Sequence, residues 1–225
     1  MTVDGGAPSP PSETKGLVPL VQLRAEQTRS ALIEVAAAHF YARGARSTGL
    51  VEISQEAGVS KGALYFHFSS KEELVATILR DARDQAHALV RQYLGESGLH
   101  PGDLGRFTAA FARELRHNVV LRAGLRLESD GEGEPPTMRQ EWIAYLHRHL
   151  SRAEGGSRQL AKLISAVTIG LAELGREDCK WWAEEHICGI WNLMLAGHKG
   201  LEDRLGDMPL EDRLTIMPDG RDPAY

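Results

Sequence analysis

The sequence predicts an all-α protein, with a three-helix N-terminal head containing a helix-turn-helix and a larger helical domain behind it. Three observations predict it. Apolar residues recur at three- and four-residue spacing along most of the chain, punctuated by glycine and proline. Two short helical runs meet at Gly58 with room only for a tight turn. Two runs near the C-terminus are apolar around most of their circumference, as in helices that sit at the centre of a domain or meet a second subunit.

Residues 1–22 hold four prolines and three glycines and little that can form a core, which reads as a disordered leader. From Arg24 to Arg43 the residues Leu32, Val35, Ala36, His39 and Phe40 fall on one helical face, and Gly44 stops the run. His39 reads as a core-edge histidine. Thr48 precedes the helix of Ile53, where a hydroxyl can cap and the free amides can hold a phosphate oxygen. Leu50, Ile53 and Ala57 give that helix an apolar face, and Gly58 stands where the chain must turn left-handed. Ser60 caps the next helix, in which Gly62 and Ala63 keep one face nearly bare while Lys61, Tyr65 and His67 supply donors around it. Phe66 and Phe68 read as core aromatics beneath it. A smooth, donor-fringed helix of this kind suits a DNA major groove.

Ser69 and Ser70 ahead of Glu72 and Glu73 form a capping-box signature that opens a helix over 71–93, with Leu74, Ile78, Leu79, Ala82, Ala86 and Val90 as its stripe. Gly95 to Gly98 ends it. Pro101 opens a helix carrying Leu104, Phe107, Phe111 and Leu115, and a short helix follows over 119–127. A loop rich in glycine, acid and proline leads to a helix over 138–152 with Trp142, Tyr145, Leu146 and Leu150, broken at Gly155-Gly156. The two apolar helices span 158–174 and 179–199, and the tail from Gly206 reads as irregular. The domains expected are a leader (1–22), a DNA-binding head (23–70), a ligand-binding and dimerisation domain (71–205, with 71–93 as connecting helix) and a tail (206–225).

A chain of 225 residues has enough length for both domains, but its net charge of −5 does not announce a nucleic-acid binder. Over 24–93 nine Lys/Arg against eight Asp/Glu leave the head at about +1, so the fold must gather cations on one face. Cys179 and Cys188 lack metal-ligand spacing and read as reduced, buried thiols of a cytoplasmic protein. No secretory signal or membrane-spanning apolar run is present in the sequence. His147 and His149, two apart on a helix, do not make a metal pair, and no cofactor loop or catalytic constellation is visible.

Thr48 through Leu74, with Gly-Val-Ser-Lys-Gly-Ala-Leu-Tyr-Phe-His-Phe at 58–68 and Ser-Ser-Lys-Glu-Glu-Leu at 69–74, resembles the DNA-binding domain of the tetracycline-repressor (TetR) family. The resemblance implies a homodimer that places Ser60 to His67 of each head in the major groove. Lys61 would touch a base edge or a nearby phosphate, with Gly62 and Ala63 allowing close approach. Tyr65, His67, Thr48 and Lys71 would be backbone-positioning contacts, and Thr28 and Arg29 stand where the family's first helix approaches a phosphate.

Farther along, Val120-Leu-Arg-Ala-Gly-Leu-Arg-Leu127 and then Glu141-Trp142 resemble the γ-butyrolactone autoregulator receptors of actinomycetes. In that subfamily the residue matched to Trp142 lines the ligand pocket and the one matched to Thr168 hydrogen-bonds the ligand. A lactone signal is largely alkyl chain with one ring carbonyl, so its site is expected to be an apolar slot with few polar groups. Phe107, Phe111, Val120, Leu125 and Ile164 can supply walls, though each reads equally as plain core. Arg122 and Arg126 suit an anion clamp or, more simply, exposed arginines paired with Glu128 or Asp130. The function implied is a repressor of a near-palindromic operator released by a small hydrophobic signal, either a lactone-like autoregulator or an antibiotic or efflux substrate. A helical carrier or enzyme that kept the head as scaffold is the alternative of another class, and it needs an ionisable cluster in the C-terminal half.

Overall fold

The structure, a computed structural model, describes residues 17–94, 101–150 and 158–194, and every regular element among them is helical. The expectations for the leader before Leu17, the glycine breaks at 95–98 and 155–156, the end of the last helix beyond 194 and the tail lie outside those residues. The elements are α1 (Leu17–Arg43), α2 (Leu50–Glu56), α3 (Lys61–His67), α4 (Lys71–Leu94), α5 (Pro101–His117), α6 (Val119–Ser129), α7 (Met138–Leu150) and α8 (Arg158–Glu177). A 3-10 turn (Cys179–Trp182) then leads into α9 over 184–194. α1 begins inside the expected leader, because Pro19 falls in its first turn, where a missing N–H breaks no helical bond.

Two compact units make up the chain. The first runs to Gln85 and resumes over Asn118–Thr137; the second takes Ala86–His117 and everything from Met138. The division therefore falls inside α4 rather than at its start, and α6 belongs with the head. The reason is packing: α6 lies on α1 and buries Val120, Leu121, Ala123, Gly124 and Leu127. Arg126 ties the same pair together, donating from Nη1 to the Tyr41 carbonyl at 3.1 Å while its Nε holds Asp130 at 3.2 Å. Arg122 stacks over the Tyr41 ring at 4.8 Å. Of the two pairings expected for these arginines, Arg126–Asp130 is present, whereas Glu128 pairs with Arg83 at 3.6 Å.

The core of the first unit gathers Leu32, Ala36 and Phe40 of α1, Ile53, Leu64, Phe68, Leu74, Ile78 and Leu121, all essentially inaccessible. Each such large side chain contributes roughly 1.5–3 kcal/mol of burial. His39 lies at the edge of this core, as expected, with Nε2 2.6 Å from Glu56, while Arg43 contacts its Nδ1 and holds Glu52 at 2.8 Å.

In the second unit α7 and α8 pack on each other, with Leu104, Leu115, Leu146, Leu150, Ile164 and Leu171 inside. The expected helix from 179 is interrupted. Asp178 caps the 3-10 turn by accepting from the Lys180 amide at 3.0 Å, and Trp182 folds back so that its Nε1 donates to the Leu171 carbonyl at 3.0 Å. Gly175 makes this possible, since a Cβ there would stand 1.9 Å from the indole nitrogen. Both cysteines are exposed, contrary to expectation: Ile187 and Trp191 form the buried stripe of α9, and Cys188 is turned about 100° away from Ile187 on the helix. Leu163 and Leu174 of α8 and Leu193 of α9 are exposed.

Candidate functional site

α3 is seven residues long and held by its ends. The turn before it closes α2 with paired bonds, Val59 N–H to Ser54 at 3.0 Å and Gly58 N–H to Gln55 at 3.1 Å, with Gly58 at φ +68. That pairing needs a left-handed residue, which glycine adopts without Cβ strain. Ser60 then accepts from the Ala63 amide at 3.1 Å, the expected cap, worth about 1 kcal/mol. Leu64 and Phe68, four apart, face inwards, which leaves Lys61, Gly62, Tyr65 and Phe66 facing outwards. The Lys61 ammonium sits 5.7 Å above the Tyr65 ring, and around Gly62 a Cβ would meet only the Ser60 hydroxyl within 4 Å. The expected bare face is there, flanked by a cation and a phenol, with His67 half-buried at its end.

Phe66 reverses its expected role. It is 81% exposed rather than core, because it lies two residues, about 200° of helix, from the buried Leu64. Leu64 takes the inward position instead.

Two outer positions also differ from expectation. Thr48 does not cap α2: the cap residue is Gly49, while Thr48 is 2% exposed and donates its hydroxyl to the Gly44 carbonyl at 3.0 Å. Lys71 is turned inwards too, its Nζ donating to the carbonyls of Ala45 and Thr48 at 3.0 and 3.3 Å. These two residues brace the α1–α2 connection rather than reaching out from it. Thr28 folds back onto the Arg24 carbonyl at 2.9 Å, and the Arg29 guanidinium lies 5.2 Å from the Phe68 ring. At the start of α4, Glu73 accepts from the Ser69 hydroxyl and amide at 2.6 and 2.7 Å while Ser70 accepts from the Glu73 amide at 3.2 Å. The Ser69 hydroxyl, then its N–H, hold the Glu73 carboxyl below its ordinary range.

The second unit contains an aromatic ladder across α5 and α7. Phe111 stacks on Phe107 with centroids 5.8 Å apart, Phe107 on Trp142 at 4.7 Å, Trp142 on Tyr145 at 6.0 Å, and Tyr145 on His149 at 4.3 Å. On α8, Thr168 is buried one turn from Ile164. The Trp142 indole donates to the Thr168 hydroxyl at 2.7 Å, and that hydroxyl donates to the Ile164 carbonyl at 2.7 Å. The polar groups of the expected slot therefore satisfy each other, and the space between Phe107 and Trp142 is closed by ring contact. Burial raises the Tyr145 phenol above its ordinary pKa. Val120 and Leu125 are carried by α6, in the first unit.

Residues 32–78 match the family model described as bacterial regulatory proteins, tetR family. Over 220 residues the chain is 39% identical to the A-factor receptor protein of Streptomyces griseus, covering 90% of this chain and 75% of that one. The chain belongs to the TetR family. A crystal structure of a γ-butyrolactone receptor, an ArpA-like protein, aligns at TM-score 0.62 and 32% identity over 77% of this chain and 89% of that one. The TetR-family protein CprB from Streptomyces coelicolor, in complex with its biological operator sequence, aligns at TM-score 0.55 and 37% identity over 65% of this chain and 81% of that one. The outward residue of α3 that the sequence did not point to is Phe66. The signal that could have found it is the spacing of Leu64 and Phe68, since only one of two adjacent phases can face inwards on so short a helix.

Proposed function

We propose that this TetR-family chain is a ligand-responsive transcriptional repressor. It binds a near-palindromic operator as a homodimer and is released by a small hydrophobic signal of the γ-butyrolactone or butenolide type. Trp142, Thr168, Phe107, Phe111 and Ile164 form the ligand site. The observation that carries this reading is the 2.7 Å bond between Trp142 and Thr168: two residues 26 apart in sequence, each matched to a ligand-contacting position, meet in one part-buried place. The whole-length likeness to the A-factor receptor protein points the same way.

On the DNA side, Ser60, Lys61, Gly62, Ala63, Tyr65 and His67 are the contacts we assign, with Lys61 as the principal cation. Thr48 and Lys71 support the head from within. The exposed Leu163, Leu174 and Leu193 supply the apolar surface that a second copy would cover. We place the protein in the cytoplasm with its operator and assign it no enzymatic activity.

Release follows from linkage. A signal shifts the equilibrium only if it prefers a conformation in which the two heads fit DNA poorly. Connectivity offers two routes for that preference. α4 runs unbroken from one unit into the other, and α6 follows α5 after Asn118 and leads to α7 through the loop over 130–137, α5 and α7 being the helices of the aromatic ladder.

Trp142→Ala tests the reading. The variant should shift the DNA upstream of its own gene as the wild type does, while the roughly 5- to 150-fold weakening that culture extract or a synthetic lactone causes should be lost. A variant that still releases at the wild-type ligand concentration removes Trp142 from the site. An antibiotic or biosynthetic intermediate that releases the wild type where lactones do not would move the ligand class and leave the site in place.

A further inference from the structure

We infer that Phe66 is a sequence-reading residue that recognises the C5-methyl group of a thymine in each half of the operator. The inference rests on the DNA-binding reading above and adds to it the base that is read. Phe66 is 81% exposed, while Leu64 on the same helix and Phe68 at its C-terminal cap are buried. A lone exposed apolar residue needs no explanation, but this one stands beside Tyr65 on the outward stripe of α3, above the open space at Gly62. Its ring contact among the described residues is a T-shaped one with His67, at 5.2 Å and 84°, and most of the phenyl surface stays open to solvent.

The chemistry selects the occupant. A phenyl ring offers no donor, so it gains nothing from a phosphate oxygen or from the acceptor edge of guanine. The apolar group that a major groove presents is the thymine methyl. Apolar wedges that pry base steps apart act from the minor groove, where bases are unstacked and the duplex kinks. A short helix with a glycine-bared face beside Lys61 is built to lie in the wide groove without deforming it. The division of labour is then plain: Lys61 and Tyr65 supply polar contacts, and Phe66 distinguishes thymine from cytosine at one position.

Deoxyuridine substitution tests this directly, since it removes the methyl and leaves every hydrogen-bonding group in place. The operator upstream of the gene is located by footprinting, and duplexes carrying uracil in place of each thymine in turn are titrated with wild type, Phe66→Ala and Phe66→Leu. Because the side chain is outside the core, both variants should keep the wild-type melting temperature. The expected result is one thymine per half-site at which uracil weakens wild-type binding roughly three- to fivefold, as for loss of one methylene-sized contact. Phe66→Ala should be indifferent to uracil at that position and Phe66→Leu should retain part of the penalty. A wild type indifferent to every uracil, or an alanine variant with the same penalty at the same thymine, overturns the inference while leaving DNA binding intact. A protein that forms no complex with this DNA at low salt overturns the repressor reading, and this inference with it.

Discussion

In the first unit the side chains assigned to function point away from the fold, whereas in the second they are turned towards one another. Lys61, Tyr65 and Phe66 stand on the outside of α3 with their backs to Leu64 and Phe68. Trp142 and Thr168 are bonded together, with Phe107 closing one side of the indole. This difference sets how each site responds to change. An outward group is solvated until DNA arrives, so altering it changes binding and leaves folding alone. An inward group already satisfies a neighbour, so a ligand must exchange contacts, and a substitution there affects folding and binding together.

The largest expected effect breaks the second unit alone. Gly175→Ala places a methyl 1.9 Å from the Trp182 indole nitrogen, whose N–H holds the Leu171 carbonyl, so Trp182 must leave its seat. Overpacking of this kind costs roughly 1–3 kcal/mol, and loss of the buried hydrogen bond adds to it. All four tryptophans, at 142, 181, 182 and 191, belong to the second unit. Tryptophan fluorescence therefore follows that unit selectively. Its urea midpoint should fall in the variant, with ligand response lost, and an unchanged midpoint would show that Trp182 is not seated on Gly175.

A smaller effect sharpens the outward side. Lys61→Ala should leave the melting temperature unchanged, since the residue is exposed on α3. If Lys61 meets a phosphate, the slope of log affinity against log salt should shrink by about 0.9 per protomer with sequence preference kept. If it meets a base edge, preference should relax at one position by about 1–3 kcal/mol instead. Titration against operator and scrambled duplex over a range of salt separates the two. Equal loss of melting temperature and affinity would place Lys61 in the fold rather than at the DNA.

The same contrast explains what could be read from the sequence. Ser60, Gly58 and the Ser69–Glu73 cap were legible because turns and caps are local: the bonds they make reach three to five residues. The inward phase of α3 was not, since a seven-residue helix carrying Leu64 and Phe66 offers two apolar phases, and the rest of the unit chooses between them. Periodicity gave α6 a buried face but said nothing of what covers it; the answer, α1, lies about eighty residues back through Tyr41 and Arg126. The 3-10 turn at Cys179 was hidden for a related reason. Trp182 continues the apolar pattern, while its fit against Gly175 and its bond to the Leu171 carbonyl, eleven residues back, draw it out of a continuous helix. Trp142 and Thr168 came from family likeness, because nothing local links two residues on separate helices.

The smallest expected effect comes from pH, and it runs in opposite directions in the two units. In the first, Glu52 is held below its ordinary pKa by its bond to Arg43, Glu73 by the Ser69 hydroxyl, and Glu72 by its own backbone N–H and Ser70. A carboxyl with a depressed folded pKa stabilises the fold above its unfolded value, and that contribution fades as pH falls through the folded value. The first unit should therefore weaken in acid, below the ordinary glutamate range. In the second, Tyr145 is raised by burial. Its contribution is complete below the ordinary phenol value and is lost as pH climbs from there through the folded value, since the unfolded chain ionises first. Far-UV circular dichroism reports both units, whereas tryptophan fluorescence follows the second. Urea midpoints by the two probes should separate in acid, with circular dichroism falling first, and the fluorescence midpoint should drop only at strongly alkaline pH. Glu73→Gln should reduce the acid separation and Tyr145→Phe the alkaline drop. If both probes move together at both extremes in the parent and in these variants, the two units melt as one and the contrast drawn from their side chains does not extend to stability.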